Sequence, residues 1–140
     1  LAAPHAGKPF ARDQSVVFQP ATGCEGWPEP VRQRLAARYG ERAALWAADA
    51  TADELGCIED TQTLWVELRI AAMHEAVVHL DDLLLRRTRL GLLLPGGALG
   101  HVERIRLLTE PWLRWGDAVW QAELGRYREL IERQHAVPPP

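Results

Sequence analysis

No run of apolar residues in this chain approaches the roughly 20 that a membrane-spanning helix needs, because Lys, Arg, Asp or Glu interrupts every stretch well before that. Its first residues also lack the basic start and apolar run of a signal peptide, so a cytoplasmic polypeptide, soluble by itself, is expected. Cysteine is scarce: Cys24 and Cys57 are the only two. A structural zinc site wants four Cys or His ligands at tight spacing, which this sequence does not supply. One disulfide is permitted in an oxidising compartment, but two free thiols are the expectation. Charge of one sign is missing as well. Sixteen Lys and Arg against 19 Asp and Glu give a net charge of −3, with none of the basic field that a nucleic-acid backbone demands. The single methionine is Met73 and the chain begins at Leu1, which suggests a piece of a longer polypeptide.

What remains is ordinary: 47% hydrophobic and 25% charged residues over 140 positions, the composition of one soluble globular domain. Pro4, Pro9, Pro20 and Pro28, with glycines between them, mark residues 1–28 as an extended connector from a preceding domain. From Pro30 the pattern turns helical, with Val31, Leu35 and Tyr39 repeating at four and Gly40 placed to end the helix. A second short helix is predicted near Glu41 to Ala50, and Thr51 to Thr63 reads as a loop.

The strongest periodicity comes next. Val66, Ile70, Met73, Val77, Leu80 and Leu84 are spaced four, three, four, three, four, which predicts a main amphipathic helix running on to Leu90 or breaking near Asp81. Gly91, Pro95, Gly96, Gly97 and Gly100 then predict a flexible turn, and His101 to Leu108 a further short helix. Trp120, Leu124, Tyr127 and Ile131 repeat along a last helix before a Pro-rich tail over residues 135–140. No strand pattern appears. The expected fold is all-α, an irregular bundle of about five helices, with residues 29–134 as the helical domain.

Residue types that carry chemistry are few, and each has a plain structural alternative. His74-Glu75 followed by His79 invites comparison with the zinc-protease helix, but a spacing of five puts the rings about 140° apart around a helix, so they cannot share one ion. The segment Leu94 to Gly100 is glycine-rich without the GxGxxG order, and it follows a helix where a dinucleotide loop must follow a strand. Arg86, Arg87 and Arg89 form the densest basic cluster, able in principle to grip an anion. Asp82 lies four residues before Arg86 and Glu75 seven before Asp82, so an internal line of ion pairs on one helix face is the favoured reading. Trp46, Trp65 and Trp120 sit where helical periods call for core.

Glu67-Leu68-Arg69 leading into His74-Glu75, and then the unbroken run from Asp82-Leu83-Leu84-Leu85 through Arg86-Arg87-Thr88-Arg89 to Leu90-Gly91-Leu92, carry a further signal. They resemble the C-terminal domain of the FAD-dependent, respiratory glycerol-3-phosphate dehydrogenases and the related alpha-glycerophosphate oxidases. Arg34 to Gly40 is similar to that domain's first helix, and Leu113-Arg114-Trp115-Gly116-Asp117 with Trp120, Glu123 and Tyr127 to its last. The likeness extends from about Pro28 to Gln134. Two places depart from the usual pattern: Met73, where a basic residue is common, and Ala76-Val77, where a bulky residue and an alanine are.

The resemblance implies a parent oxidoreductase that takes sn-glycerol 3-phosphate to dihydroxyacetone phosphate, passing electrons to FAD and on to quinone, peripherally at the inner face of the membrane. Its flavin fold and substrate residues precede this domain, so no catalytic, cofactor-binding or metal residue carries over, and FAD belongs to the parent. His74, Glu75, Asp82, Arg86 and Arg87 are the candidates for structural or interdomain ion pairs. The N-terminal flavin domain of the same polypeptide is the implied partner, with subunit contacts in a homo-oligomer as a further role. An independent helical interaction module is the alternative.

Overall fold

The computed structural model describes residues 23–135. Most of the expected connector and nearly all of the Pro-rich tail lie outside the described residues. The chain divides into two compact units, one ending at Ala48 and the other starting at Asp49. Both are helical, and the described residues contain no strand, only an isolated antiparallel bridge between Cys57 and Leu64.

The first unit holds α1 (Glu29–Tyr39) and α2 (Arg42–Trp46). Pro30 occupies the first turn of α1, where its missing N–H costs nothing, and Gly40 leaves the helix at φ 59°, a conformation that only glycine adopts without strain. Leu35 is fully buried, and the rings of Tyr39 and Trp46 meet edge to face at 5.8 Å. Cys24 is a buried free thiol whose pKa is raised by burial and by the charge of Glu25; Cys57, in the second unit, is an exposed one.

The second unit is built around α3 (Trp65–His74), whose residues from Trp65 to Ala71 are all buried. A helix covered on every side needs its first N–H groups answered from nearby, and here they are. Glu67 turns its carboxylate back to the N–H of Leu64, and the Glu54 carbonyl accepts from Val66 at 2.8 Å. Thr51 and Glu54 cap each other reciprocally in the loop before it.

Of the two courses open to the main helix, running on to Leu90 or breaking near Asp81, the structure takes a break, and places it earlier, after His74. α3 stops at His74, Glu75 leaves the helical region, and Ala76 takes a left-handed φ of 41°. The apolar period runs through this break because Leu80, just ahead of a separate segment, Asp82–Arg87, wound as a π-helix, and Leu84 within that segment are both buried. Glu75, Asp82 and Arg86 therefore do not share one helical line. α4 (Leu90–Leu93) follows, then a 3-10 segment, Pro95–His101. That segment corrects the expected flexible turn: Gly96, Gly97 and Ala98 form a left-handed turn in which Gly97 and Ala98 are buried.

α5 (Val102–Leu113) packs along α3, and α6 (Gly116–His135) closes the unit with Trp120, Leu124, Tyr127 and Ile131 all buried. Arg106 of α5 grips both oxygens of Glu110 at 3.0 and 3.1 Å and reaches Asp117 at the start of α6, so the α5–α6 elbow is held by one guanidinium. Trp65 lies beneath the Arg104 guanidinium at 3.9 Å and against the edge of His101 at 5.6 Å. Arg104 in turn pairs with Asp53, and His101 with Glu59 at 2.6 Å, which ties the loop before α3 to the start of α5.

Candidate functional site

Asp82 and Arg86 of the motif run meet Asp81 and the charged side chains of α6 where α3 gives way to the π segment. Helical backbone restarts after His79, and a restart leaves N–H groups without internal acceptors. Asp82 supplies one: a single carboxylate oxygen accepts from Val78 at 3.1 Å and from His79 at 2.9 Å. Glu123, arriving from α6, supplies the next by accepting the N–H of Leu80 at 2.9 Å, and its other oxygen lies 3.0 Å from His79 Nδ1. Two carboxylates, 41 residues apart by subtraction of their numbers, thus cap one helix start.

Arginines complete the cluster. Arg86 Nη1 donates to the free oxygen of Asp82 at 2.7 Å, and its other nitrogen lies 3.9 Å from Asp81. Arg126 bridges Asp81 and Glu123. Burial works against ionisation of Asp82, but the N–H groups of His79 and Val78, then the charges of Arg86 and His79, outweigh it and hold the carboxyl below its ordinary range. Glu123 is depressed in the same way, burial being overcome by the Leu80 N–H, His79 and Arg126. Arg126 is burdened by burial yet raised by its bonds to Asp81 and Glu123.

Behind this cluster the Arg-Thr-Arg-Leu-Gly run is fixed by packing. Thr88, buried, donates its hydroxyl to the Leu83 carbonyl at 2.8 Å. Gly91 lies so close to α6 that a Cβ there would overlap the Tyr127 hydroxyl and stand 2.9 Å from Leu85 Cδ2. The same hydroxyl donates to the Gly97 carbonyl at 2.8 Å, and a Cβ on Gly97 would come within 2.6 Å of Ile131. Burial, with a smaller push from Asp81, raises the Tyr127 phenol well above its ordinary pKa, so it stays a donor.

Of the residues singled out from sequence, Asp82 and Arg86 are brought together. His74 is the exposed last residue of α3, Glu75 is its half-buried cap and Arg87 is exposed at the end of the π segment. The sequence did not single out Asp81 or Arg126 as ion-pair partners, and it marked Glu123 and Tyr127 by family likeness alone, without their contacts to Leu80, His79 and the Gly91 turn. One local signal was available: an acidic residue three positions after His79 is the N3 position of a capping box.

Chemically, both oxygens of Asp82 and of Glu123 are engaged by N–H donors, so the cluster orients backbone rather than offering a free base. Arg86 remains 69% exposed, which limits its share in the cluster. Arg86→Ala is expected to shift the urea midpoint by less than about 1 kcal/mol in stability, as for other screened pairs. A larger loss would place that guanidinium in a drier setting than its exposure indicates. The glycine segment does not fit a flavin diphosphate: Tyr127 and Ile131 fill the space that a phosphate would need at Gly97, and the segment follows a helix. Among the described residues no three His, Cys, Asp or Glu side chains are grouped to hold a metal ion.

The sequence model of one family, described as the C-terminal domain of alpha-glycerophosphate oxidase, matches residues 7–119. No curated protein and no solved structure gives a significant match.

Proposed function

Because the chain belongs to the family of the C-terminal domain of alpha-glycerophosphate oxidase, we propose that it is the helical, non-bond-making part of an FAD-dependent oxidoreductase that converts sn-glycerol 3-phosphate to dihydroxyacetone phosphate. FAD, the substrate residues and transfer of electrons to quinone belong in this reading to a preceding flavin domain, to which residues 1–28 form the link. The helical domain packs on that flavin domain.

The observation that carries the proposal is the match over residues 7–119, which takes in the whole motif run and the turn it builds. Two features support a docking role. The turn holds both oxygens of Asp82 and of Glu123 in hydrogen bonds, which makes it a rigid element. Leu92 and Leu93 are exposed on α4, past the buried Leu90 and Gly91, and adjoining exposed apolar residues of this kind suit an interface.

The purified chain is expected to be colourless and inert toward glycerol 3-phosphate with any acceptor dye. Absorbance between the near ultraviolet and the blue checks this directly, and flavin bound in stoichiometric amount would overturn the assignment of the cofactor to another domain. Reading the codons upstream of Leu1 separates this proposal from an independent interaction module. A strand, a GxGxxG turn and a helix are expected there.

A further inference from the structure

α5 carries an outward stripe that the domain itself does not use. At 100° per residue, Glu103, Leu107, Pro111 and Arg114 fall within about 80° of one another around the helix axis, opposite the buried Val102, Ile105 and Thr109. Leu107 is 75% exposed, and Pro111, Glu103 and Arg114 are exposed too. Neighbouring charges on this side are engaged within the chain: Arg104 with Asp53, Arg106 with Glu110 and Asp117. Among the described residues, Glu103 and Arg114 have no such partner.

The stripe is self-complementary. We infer that it is a contact between two copies of this chain, with α5 packed antiparallel on its symmetry mate so that each Leu107 lies on the other's Pro111 and each Glu103 faces the other's Arg114. A two-fold axis requires that if residue i meets residue j, then j meets i. Centring the axis between Leu107 and Pro111 sets Glu103 opposite Arg114 to within one residue, about 1.5 Å of helix rise. One acidic end and one basic end on a single helix satisfy that condition, whereas two ends of like sign would not.

Local geometry agrees with a flat, close approach. Pro111 sits inside α5, where it has no N–H to offer the Leu107 carbonyl. Its ring gives a smooth surface beside that exposed leucine. Arg114 is held left-handed at φ 54° and ψ 34°, a conformation that a glycine would adopt with less strain. Two apolar residues per copy form a small contact, so the association is weak, of micromolar or higher Kd.

Sedimentation equilibrium of the 140-residue chain, from about 10 μM to about 1 mM, is the test. The unaltered chain is expected to pass from monomer toward dimer across that range, and Leu107→Asp to remain monomeric. Glu103→Arg and Arg114→Glu, each alone, place like charges at both ends and should weaken the dimer by about tenfold. An equimolar mixture of those two variants pairs opposite charges again and is expected to recover the original affinity, which a merely structural effect of either substitution would not produce. A monomer at every concentration overturns the proposal, and so does a dimer indifferent to Leu107→Asp or a mixture that fails to recover.

Discussion

Gly91→Ala should cost the second unit on the order of 3 kcal/mol, the range found when atoms are forced into a packed interior. The new methyl group would overlap the Tyr127 hydroxyl, approach Leu85 Cδ2 to 2.9 Å and stand 3.3 Å from the Leu84 carbonyl. Leucine can turn away, but the other two cannot move cheaply. The Leu84 oxygen is backbone, and the tyrosine is tied to the Gly97 carbonyl at 2.8 Å and fully buried. Tyr127→Phe alone leaves that carbonyl without a donor, at about 1–2 kcal/mol. In the Tyr127→Phe background, however, Gly91→Ala should be noticeably milder, since the worst overlap has gone. A double-mutant cycle by urea unfolding measures this coupling. Equal midpoints for Gly91→Ala and the unaltered chain would mean that α4 can slide away from α6.

The second large effect belongs to Asp82. Asp82→Ala removes the acceptor of the Val78 and His79 N–H groups together with the partner of Arg86, and a loss of about 2 kcal/mol is expected for a cap of this kind. The acid should thus matter more than its arginine. Acid dependence follows from the same bonds. Asp82 and Glu123 both have folded pKa values below their ordinary ones, so near pH 4 the unfolded chain binds protons that the folded chain refuses. Their contribution is complete above about pH 5 and declines as pH falls through the ordinary carboxylate range, until the folded carboxyls are protonated too. Urea midpoints at a series of pH values should show this slope, and Asp82→Ala should flatten it. An unchanged slope would move the origin of acid sensitivity elsewhere in the domain.

The last helix was fully legible. Trp120, Leu124, Tyr127 and Ile131 are spaced as one apolar stripe, and all four are buried. The first was legible from Pro30 and Gly40, whose backbone preferences act without help from distant residues. A break near Asp81 was one of two expected courses, but its place after His74 was not legible, because the apolar period of the main stripe continues unbroken across it. Period reports which residues are buried, not whether one rod carries them. What divides the rod is a pair of carboxylates that answer its restarted N–H groups, and Glu123 comes from 43 residues beyond Leu80.

The glycine-rich segment misled for a related reason. Glycine licenses the left-handed turn at Gly96 and Gly97, yet the order there comes from Tyr127 and Ile131, which no local pattern announces. The family likeness rested on Glu123 and Tyr127 as well as on the arginine run, so it identified two of the long-range partners as residue types before their contacts were known. It could not say what they touch.

The π segment has a bearing on how this domain tolerates changes in chain length. Its closing bond runs from the Thr88 N–H to the Leu83 carbonyl, five residues back, where an α-turn would span four. The segment between Asp82 and Thr88 therefore stores one residue more than an ordinary turn of the same rise. Deleting one residue there converts the wide turn to a regular one with little displacement of the flanking elements, whereas a deletion in α3 or α6 rotates everything beyond it by about 100°. A single-residue deletion between Asp82 and Thr88 should therefore disturb the packing of the flanking elements less than one within α3 or α6.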